Sequence, residues 1–342
     1  CDMQEKILKI STVILTLTTV AAIIVLGQFP RVKAEKTQSQ MSGLEKLDYD
    51  TAKAQQEEIS FSQQLRLELP KGITEADIGI ENNYVKQLIT ITIPETGKDY
   101  FDSHPLLGRS DHIDELYMEK GVIDITMDAV YEVESTVADG FLYLDFRTPQ
   151  EIYDKVVVID AGHGGKAPGA IKQGVQEKDL NLGILLKLKE LLDQNDKNIG
   201  VYYTRTEDNN PTFEQRAQLA NKSNANLFIS IHNNSTTDGV MSGYNGTEVM
   251  YDEAKSEEGL SSKHLAEICL EETTAVLGSK NNGLSLGNSI YIIRSSQVPV
   301  ALIEVGFMTN QEELDKLKSE EYQQQAAQGI YNAIIRALDE GY

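Results

Sequence analysis

The chain has 342 residues, of which 40% are hydrophobic, and its formal net charge is −22 at pH 7. This length accommodates about two domains of ordinary size, and the hydrophobic content is sufficient to build their cores. The excess of acidic residues argues against nucleic acid as a partner, because phosphate contacts need clustered Lys and Arg. The only cysteines are Cys1 and Cys269, so the sequence predicts no disulfide framework.

The N-terminal part contains a long apolar segment. Residues 10–29 carry no charged side chain, and Lys and Arg flank them on both sides. Twenty such residues are enough to span a membrane. Cleavage after Ala34 would fit the small residues around it, although the apolar run is longer than the core of a usual signal peptide. Residues 1–34 are therefore either a signal peptide or a membrane anchor. Both predict export to the cell envelope or the extracellular space, with membrane contact only through this segment.

The next part changes from polar to alternating sequence. Residues 35–58 are rich in Gln, Lys, Glu and Ser and read as a polar linker. Within residues 59–150, short runs such as "QLITITI" and "FLYLDF" alternate apolar and polar residues and are bounded by turn formers. This pattern is typical of antiparallel strands that bury one face. We expect a small β-rich domain similar to a β-sandwich, acting as a binding or spacer module.

Residues 151–342 alternate short strands with helices, which predicts an α/β domain. The predicted strands include "VVVID", "VYYTR", "LFISIH", "TEVMYD", "SIYIIR" and "VALIEVGF", and the helices include "EKDLNLGILLKLKELLDQ" and "YQQQAAQGIYNAIIRAL". Such alternation indicates a mostly parallel sheet with helices on both faces. Ligands of these sheets bind beyond the carboxyl ends of the strands.

Four residues that carry metal or acid–base chemistry fall near predicted strand ends. His163 follows "VVVIDAG", Glu177 opens the first long helix, His232 ends "LFISIH", and Glu304 interrupts the apolar run "VALIEVGF". Each has an ordinary structural explanation when it is taken alone, such as a turn or a helix N-terminus that favours an acid. Two imidazoles and a carboxylate together are a catalytic zinc ligand set. We therefore predict that His163, Glu177 and His232 bind Zn²⁺ and that Glu304 transfers protons.

Residues 155–342 contain, in this order, the motifs "VVVIDAGHGG", "QEKDLNL", "TRTEDNNPTFEQRAQLANKSNANLFISIHNN", "GTEVMY" and "PVALIEVGFMTN". In motif content and order, this part of the chain resembles the catalytic domain of the zinc-dependent N-acetylmuramoyl-L-alanine amidases. The resemblance implies hydrolysis of the amide between N-acetylmuramic acid and L-alanine in peptidoglycan. It also implies the same zinc ligands and the same catalytic glutamate, and it adds Arg294 as a residue that binds substrate or stabilises the oxyanion. Asn233 departs from the alanine that many members carry.

The β-rich residues 59–150 resemble, by strand pattern and position, the AMIN-like modules that precede this catalytic domain in many amidases. That resemblance implies an envelope partner for this part of the chain. Two other functions stay open from the sequence: another zinc peptidoglycan peptidase, which would cut within the stem peptide, and a cell-wall-binding protein without activity. Retention of both carboxylates and both imidazoles argues against an inactive protein.

Overall fold

The computed structural model describes residues 65–94, 96–97, 99–253 and 261–342. The predicted apolar segment at residues 10–29 and the predicted linker at 35–58 lie outside these ranges. Among the described residues, no helix combines the length and the apolarity that a membrane span requires.

Eight strands between residues 65 and 147 form two four-stranded sheets. In chain order they are β1 (Leu65–Glu68), β2 (Gly79–Asn83), β3 (Leu88–Thr92), β4 (Leu107–Gly108), β5 (Ile113–Glu119), β6 (Val122–Met127), β7 (Glu132–Ala138) and β8 (Phe141–Arg147). The sheet orders are β4-β1-β8-β7 and β2-β3-β6-β5, and every pairing is antiparallel.

The two sheets share one hydrophobic core. Buried and less buried positions alternate along β6, where Ile123 and Ile125 are fully buried. These residues pack in one cluster with Leu67 and Leu144 of the other sheet. Alternate side chains of a strand point to opposite faces, so the period-two pattern of the sequence is the direct cause of this core.

A six-stranded sheet occupies the C-terminal part. Its strands are β9 (Lys155–Ala161), β12 (Ile199–Tyr203), β13 (Leu227–Asn234), β14 (Thr247–Tyr251), β15 (Asn281–Leu286) and β16 (Val300–Phe307). Between β9 and β12 in the chain, β10 (Ile171–Lys172) and β11 (Val175–Gln176) form a separate two-stranded hairpin. The order in the six-stranded sheet is β12-β9-β13-β16-β14-β15. All neighbours are parallel except β14 and β16, so the sheet is mixed and mostly parallel.

Helices cover both faces of the six-stranded sheet. The helices of the described residues are α1 (Tyr100–Ser103), α2 (Pro149–Ile152), α3 (Glu177–Asp193), α4 (Phe213–Lys222), α5 (Ser262–Leu277), α6 (Tyr291–Ser295), α7 (Gln311–Leu317) and α8 (Glu320–Asp339). Helices α3, α5, α7 and α8 pack in one core with Val157 and Ile159 of β9, whereas α4 and α6 pack with Val156 and Val158 on the other face. The predicted α/β class is confirmed.

The prediction of a strand at "SIYIIR", residues 289–294, is wrong. Residues Tyr291–Ser295 form the short helix α6, in which Ile292 and Ile293 are both buried. A short apolar run does not distinguish a strand from a buried helical turn, and here the packing against α4 selects the helix. The edge strand β15 instead uses the polar sequence "NNGLSL", which has no strong strand propensity.

A carboxylate with two phenol partners joins the β-rich part to the six-stranded sheet. Glu132, at the start of β7, accepts hydrogen bonds of 2.6 Å from the hydroxyl groups of Tyr84 and of Tyr202 in β12. The two tyrosine rings meet edge to face, with centroids 4.9 Å apart. Val130, just before β7, is buried in the core that also contains Val156. These contacts tie the two parts of the chain together.

We expect Glu132→Ala to lower the free energy of unfolding by about 1–3 kcal/mol, because two partly buried phenols lose their acceptor. Urea unfolding of the purified protein measures this change. Glu134→Ala on the same strand is the matched control, since Glu134 is exposed and pairs only with Arg147, and it should cost no more than about 1 kcal/mol. Equal losses in the two variants would contradict the assigned role of Glu132.

Candidate metal centre and catalytic site

The chain leaves β9 through a glycine-rich turn that carries His163. The φ angle of His163 is 62°, and Gly164 and Gly165, which follow it, also have positive φ. A residue other than glycine holds this left-handed conformation only when its surroundings enforce it. One enforcing contact is the hydrogen bond of 2.6 Å that Arg216 donates to the carbonyl of His163. The turn therefore presents the imidazole from a constrained backbone.

A tight hairpin returns the chain to the same place and positions Glu177. Strands β10 and β11 pair across Gln173 and Gly174, which both have positive φ, as the favoured two-residue hairpin turn requires. Glu177 then opens α3. Its N–H donates to the carbonyl of Ala170, and the N–H of Ala170 donates to its Oε2, both at 2.9 Å. One carboxylate oxygen is thus held by the backbone.

The strand register places His232 beside Glu304. His232 in β13 is the Cα partner of Glu304 in β16, and Glu304 is in turn the partner of Glu248 in β14. On the other side, Gly162 donates its N–H to the carbonyl of Ile231 and so lies next to His232. Matching positions of adjacent strands project from the same face. His232, Glu304 and Glu248 consequently form one row across the sheet.

Two glycines leave the room that these side chains occupy. A Cβ atom on Gly162 would lie 2.1 Å from Nε2 of His232, and a Cβ atom on Gly169 would lie 2.4 Å from Oε2 of Glu177. Both distances are far below van der Waals contact. Any side chain at either position would displace the imidazole or the carboxylate.

The three predicted metal ligands meet at one point. Nε2 of His163 lies 3.1 Å from Oε1 of Glu177, and Nδ1 of His232 lies 2.9 Å from the same oxygen. One donor atom from each residue falls within 4.8 Å of the others. Ligand atoms on a tetrahedral zinc ion at about 2.0–2.1 Å are roughly 3.3 Å apart. The donor set and its spacing therefore fit a zinc ion.

The charges of the group are strongly coupled. Burial raises the pKa of Glu177, but the hydrogen bonds and charges of His163 and His232 outweigh burial and hold this pKa well below its usual range. Burial lowers the pKa of His232, but Glu177 and Glu304 raise it above its ordinary value. A metal ion must displace a proton from such an imidazole, so metal affinity should fall as the solution becomes acidic.

Glu304 has the environment of an acid–base group. Its Oε2 is buried and has no hydrogen-bond partner among the described residues. Burial raises the pKa of Glu304 to about 7, with Glu177 and Glu248 adding to the effect and His232 opposing it. A carboxyl group that titrates near neutral pH can both accept and return a proton.

Sequence reasoning missed Glu248 and Asn181. Glu248 continues the row beyond Glu304 and accepts a hydrogen bond of 3.3 Å from Asn234. Asn181, fully buried on α3, donates to the carbonyl of Gly162 at 3.0 Å and accepts from Asn233 at 2.8 Å. A polar residue within the apolar stripe of α3 was the signal that could have revealed Asn181. Asn233, the residue that departs from the family pattern, thus supports the turn of His163 indirectly, through its hydrogen bond to Asn181.

Arg294 lies outside the His–Glu–His group. It is exposed on α6, and its guanidinium lies 5.1 Å from the ring centroid of Tyr291. Tyr291 stacks in turn with Phe213, which is 66% exposed at the first position of α4. Arg216, three residues further along α4, reaches the carbonyl of His163. Phe213 thus lies about one helical turn from a residue that contacts the turn of His163.

Comparison with known proteins shows the family of the C-terminal part of the chain. The family model described as N-acetylmuramoyl-L-alanine amidase matches residues 157–336. The uncharacterized protein YqiI of Bacillus subtilis is 38% identical over 194 residues, 57% of this chain and 90% of YqiI. The amidase LytC of the same organism is 32% identical over 184 residues, 54% of this chain. The match spans only 36% of the length of LytC.

A solved structure shows the same fold. The catalytic domain of CwlV, an N-acetylmuramoyl-L-alanine amidase from Bacillus (Paenibacillus) polymyxa var. colistinus, is 37% identical with a TM-score of 0.50, and the match covers 54% of this chain and 98% of that domain. The α/β fold, the clustered donors and these matches define a peptidoglycan hydrolase. More than half of the chain matches the family model. The chain belongs to the N-acetylmuramoyl-L-alanine amidase family, which confirms the family predicted from the motifs.

We expect Gly162→Ala to weaken Zn²⁺ binding by at least about 10-fold, because the new Cβ collides with the imidazole of His232. Competition with a chromophoric chelator measures the affinity. Gly79→Ala in β2 is the matched control, since its Cβ would meet only Thr92 at an ordinary 3.7 Å. Neither glycine has a positive φ, so backbone strain does not separate the two variants. Undiminished affinity in Gly162→Ala would contradict the steric argument.

We also expect Glu304→Gln to stabilise the metal-free protein at high pH. The folded-state pKa of Glu304 is about 7, above the ordinary 4.5, so ionisation disfavours folding as pH rises from 4.5 to 7. The amide removes this penalty. Its advantage in unfolding free energy should be absent near pH 4, grow through this window and level off above pH 7 at about 1–3 kcal/mol.

Urea unfolding in EDTA at pH 4, 6 and 8 measures that difference. Glu320→Gln, at an exposed glutamate that begins α8, controls for the exchange of a carboxylate for an amide. A Glu304→Gln advantage that is the same at all three pH values would refute the assigned titration.

Proposed function

We propose that this protein is a zinc-dependent N-acetylmuramoyl-L-alanine amidase in which His163, Glu177 and His232 hold the metal and Glu304 is the general base and acid. The observation that carries the proposal is the strand register that sets Glu304 next to His232, with all three donor atoms within 4.8 Å of one another. Two neutral imidazoles and one carboxylate leave a zinc ion with a free position for water.

The substrate bond is the amide between the lactyl group of N-acetylmuramic acid and L-alanine. When bound, Zn²⁺ supplies Lewis-acid polarisation of the carbonyl and lowers the pKa of a coordinated water. Glu304 accepts the proton of the attacking water through its buried oxygen, which has no hydrogen-bond partner among the described residues. It then returns that proton to the leaving amine. The raised pKa of Glu304 supports the second transfer, because the carboxyl group retains a proton near neutral pH.

Glu177 and Arg294 have supporting roles in this proposal. The backbone N–H of Ala170 fixes one oxygen of Glu177, which directs the other oxygen toward the two imidazoles. Arg294 is exposed beside Tyr291 and Phe213. A guanidinium at this position suits the carboxylates of a peptidoglycan stem peptide. Arg294 is thus a substrate-binding residue rather than a proton carrier.

The domain organisation completes the proposal. Residues 1–34 are a signal peptide or a membrane anchor, 35–58 a linker, 59–150 an AMIN-like module and 151–342 the catalytic domain. The first two assignments rest on the sequence pattern alone. The antiparallel sheets of the β-rich part are compatible with a module that holds the enzyme at an envelope partner. The protein would then act outside the cytoplasm, on the cell wall.

We expect Glu304→Gln to retain Zn²⁺ and to hydrolyse purified sacculi at least about 10²-fold more slowly than the wild type, the usual contribution of general acid–base catalysis. Mass spectrometry of the digest should show free peptides that begin with L-alanine, and EDTA should abolish their release. Glu320→Gln serves as the control with normal activity. Products cut within the stem peptide would indicate an endopeptidase, and near-normal turnover by Glu304→Gln would remove Glu304 from the mechanism.

A further inference from the structure

Asp160 and Arg216 form a buried ion pair beneath the turn that carries His163. Their side chains are only 1% and 2% exposed, and Nη1 of Arg216 lies 2.5 Å from Oδ1 of Asp160. Burial of a charged pair has a desolvation cost that its own attraction often fails to offset. The remaining hydrogen bonds of the pair therefore indicate what it does in this fold.

Some of those hydrogen bonds hold Arg216 to Pro211 and Asn210, just before α4, and the others lead to the backbone of the turn. Arg216 donates to the carbonyl of Ala161 at 2.8 Å and to the carbonyl of His163 at 2.6 Å. Arg205, which is also 2% exposed, donates to Ala161 at 2.8 Å and to the carbonyl of Gly162 at 3.1 Å. Two guanidinium groups thus bind three consecutive carbonyl groups, the last of which belongs to a predicted metal ligand.

The carboxylate of Asp160 fixes the direction of Arg216. It accepts hydrogen bonds of 2.6 Å from the hydroxyl groups of Thr204 and Ser230. Thr204 directly follows β12, and Ser230 lies in β13. Burial raises the pKa of Asp160, but Arg216 and the two hydroxyl groups outweigh burial and hold this pKa below its ordinary value. The anion therefore persists, anchored to both neighbouring strands, and Arg216 is directed at the turn.

These contacts act on a backbone conformation that His163 would not hold unaided. Its φ of 62° is a strained value for a residue with a Cβ atom. The backbone angles set the direction of the Cα–Cβ bond, so the imidazole meets Glu177 only while this conformation persists. Charged donors form stronger hydrogen bonds to carbonyl oxygens than neutral donors do, which makes two guanidinium groups effective restraints.

We propose that Asp160, Arg205 and Arg216 are positioning residues, here called the carbonyl clamp, that hold His163 in its metal-binding geometry and so set the affinity of the site for zinc. The inference rests on the proposed function of His163 as a zinc ligand. The clamp acts through the backbone of the turn. It contacts neither the substrate nor the donor atoms of His163, Glu177 and His232.

The test is Arg216→Lys in the full chain. Lysine keeps the positive charge beside Asp160, but a single ammonium group cannot reproduce the planar fork of donors. Chelator competition should show zinc affinity reduced about 10-fold to 100-fold, the range for residues that orient metal ligands. The visible spectrum of the Co²⁺-substituted protein should change, and saturating Zn²⁺ should restore most of the hydrolysis of sacculi.

Arg336→Lys is the matched control, because Arg336 is half-buried on α8, away from the turn of His163, and pairs with Glu271, Glu272 and Glu340. It should leave zinc affinity and the Co²⁺ spectrum unchanged. The zinc affinities of Arg216→Lys and Arg336→Lys are both measured at a temperature where circular dichroism shows each variant to be folded. A general loss of stability then does not change the measured affinity.

An unchanged zinc affinity and Co²⁺ spectrum in folded Arg216→Lys would overturn the clamp and leave the proposed function intact. A wild-type protein that binds no zinc would overturn the proposed function itself. If Arg216→Lys does not fold, Thr204→Val takes its place, since it removes one donor to Asp160 with little change of shape. Weakened zinc binding in Thr204→Val supports the clamp, and unchanged binding overturns it.

Discussion

The pairing of β13 between β9 and β16 sets the imidazole of His232 beside the carboxylate of Glu304 in one row. It also places Gly162, which has no side chain, next to His232. The chemistry of His232 and Glu304 depends on that register. A slip by one residue would turn His232 to the opposite face of the sheet, away from Glu304. Backbone hydrogen bonds along two full strand pairings resist such a slip. The hydrophobic side chains that alternate with the row are buried on both faces and resist it as well.

Around this row, a supported backbone surrounds one buried carboxylate oxygen that has no partner among the described residues. Below the turn, two buried guanidinium groups and the amide of Asn181 bind the carbonyl oxygens of its backbone. At the centre, Glu177 lies within hydrogen-bond distance of two imidazoles, and Glu304 has a buried oxygen with no partner among the described residues. A buried oxygen without a partner costs free energy in the isolated fold. A water molecule at a bound metal ion would give the Glu304 oxygen a hydrogen-bond partner.

The β-rich part is built on different principles and joins the catalytic part through the hydrogen bonds of Glu132 and the apolar packing of Val130. Its core follows from the alternation of apolar residues, and it offers no group of three clustered metal-binding side chains within the described residues. The contact through Glu132 and two tyrosines orients this part against β12, which lies at the edge of the six-stranded sheet opposite β15.

The sequence by itself predicted the α/β class and the family, and it singled out four residues that the fold brings together, because strand and helix periods are local and the motifs include the chemical groups themselves. It did not determine the helix at Tyr291–Ser295 or the polar strand at Asn281–Leu286, where packing against neighbouring elements outweighs local propensity. Nor did it reveal Glu248 or the three carbonyl groups bound by Arg205 and Arg216. Those depend on register and on contacts between residues more than 40 positions apart, which only the folded chain brings together.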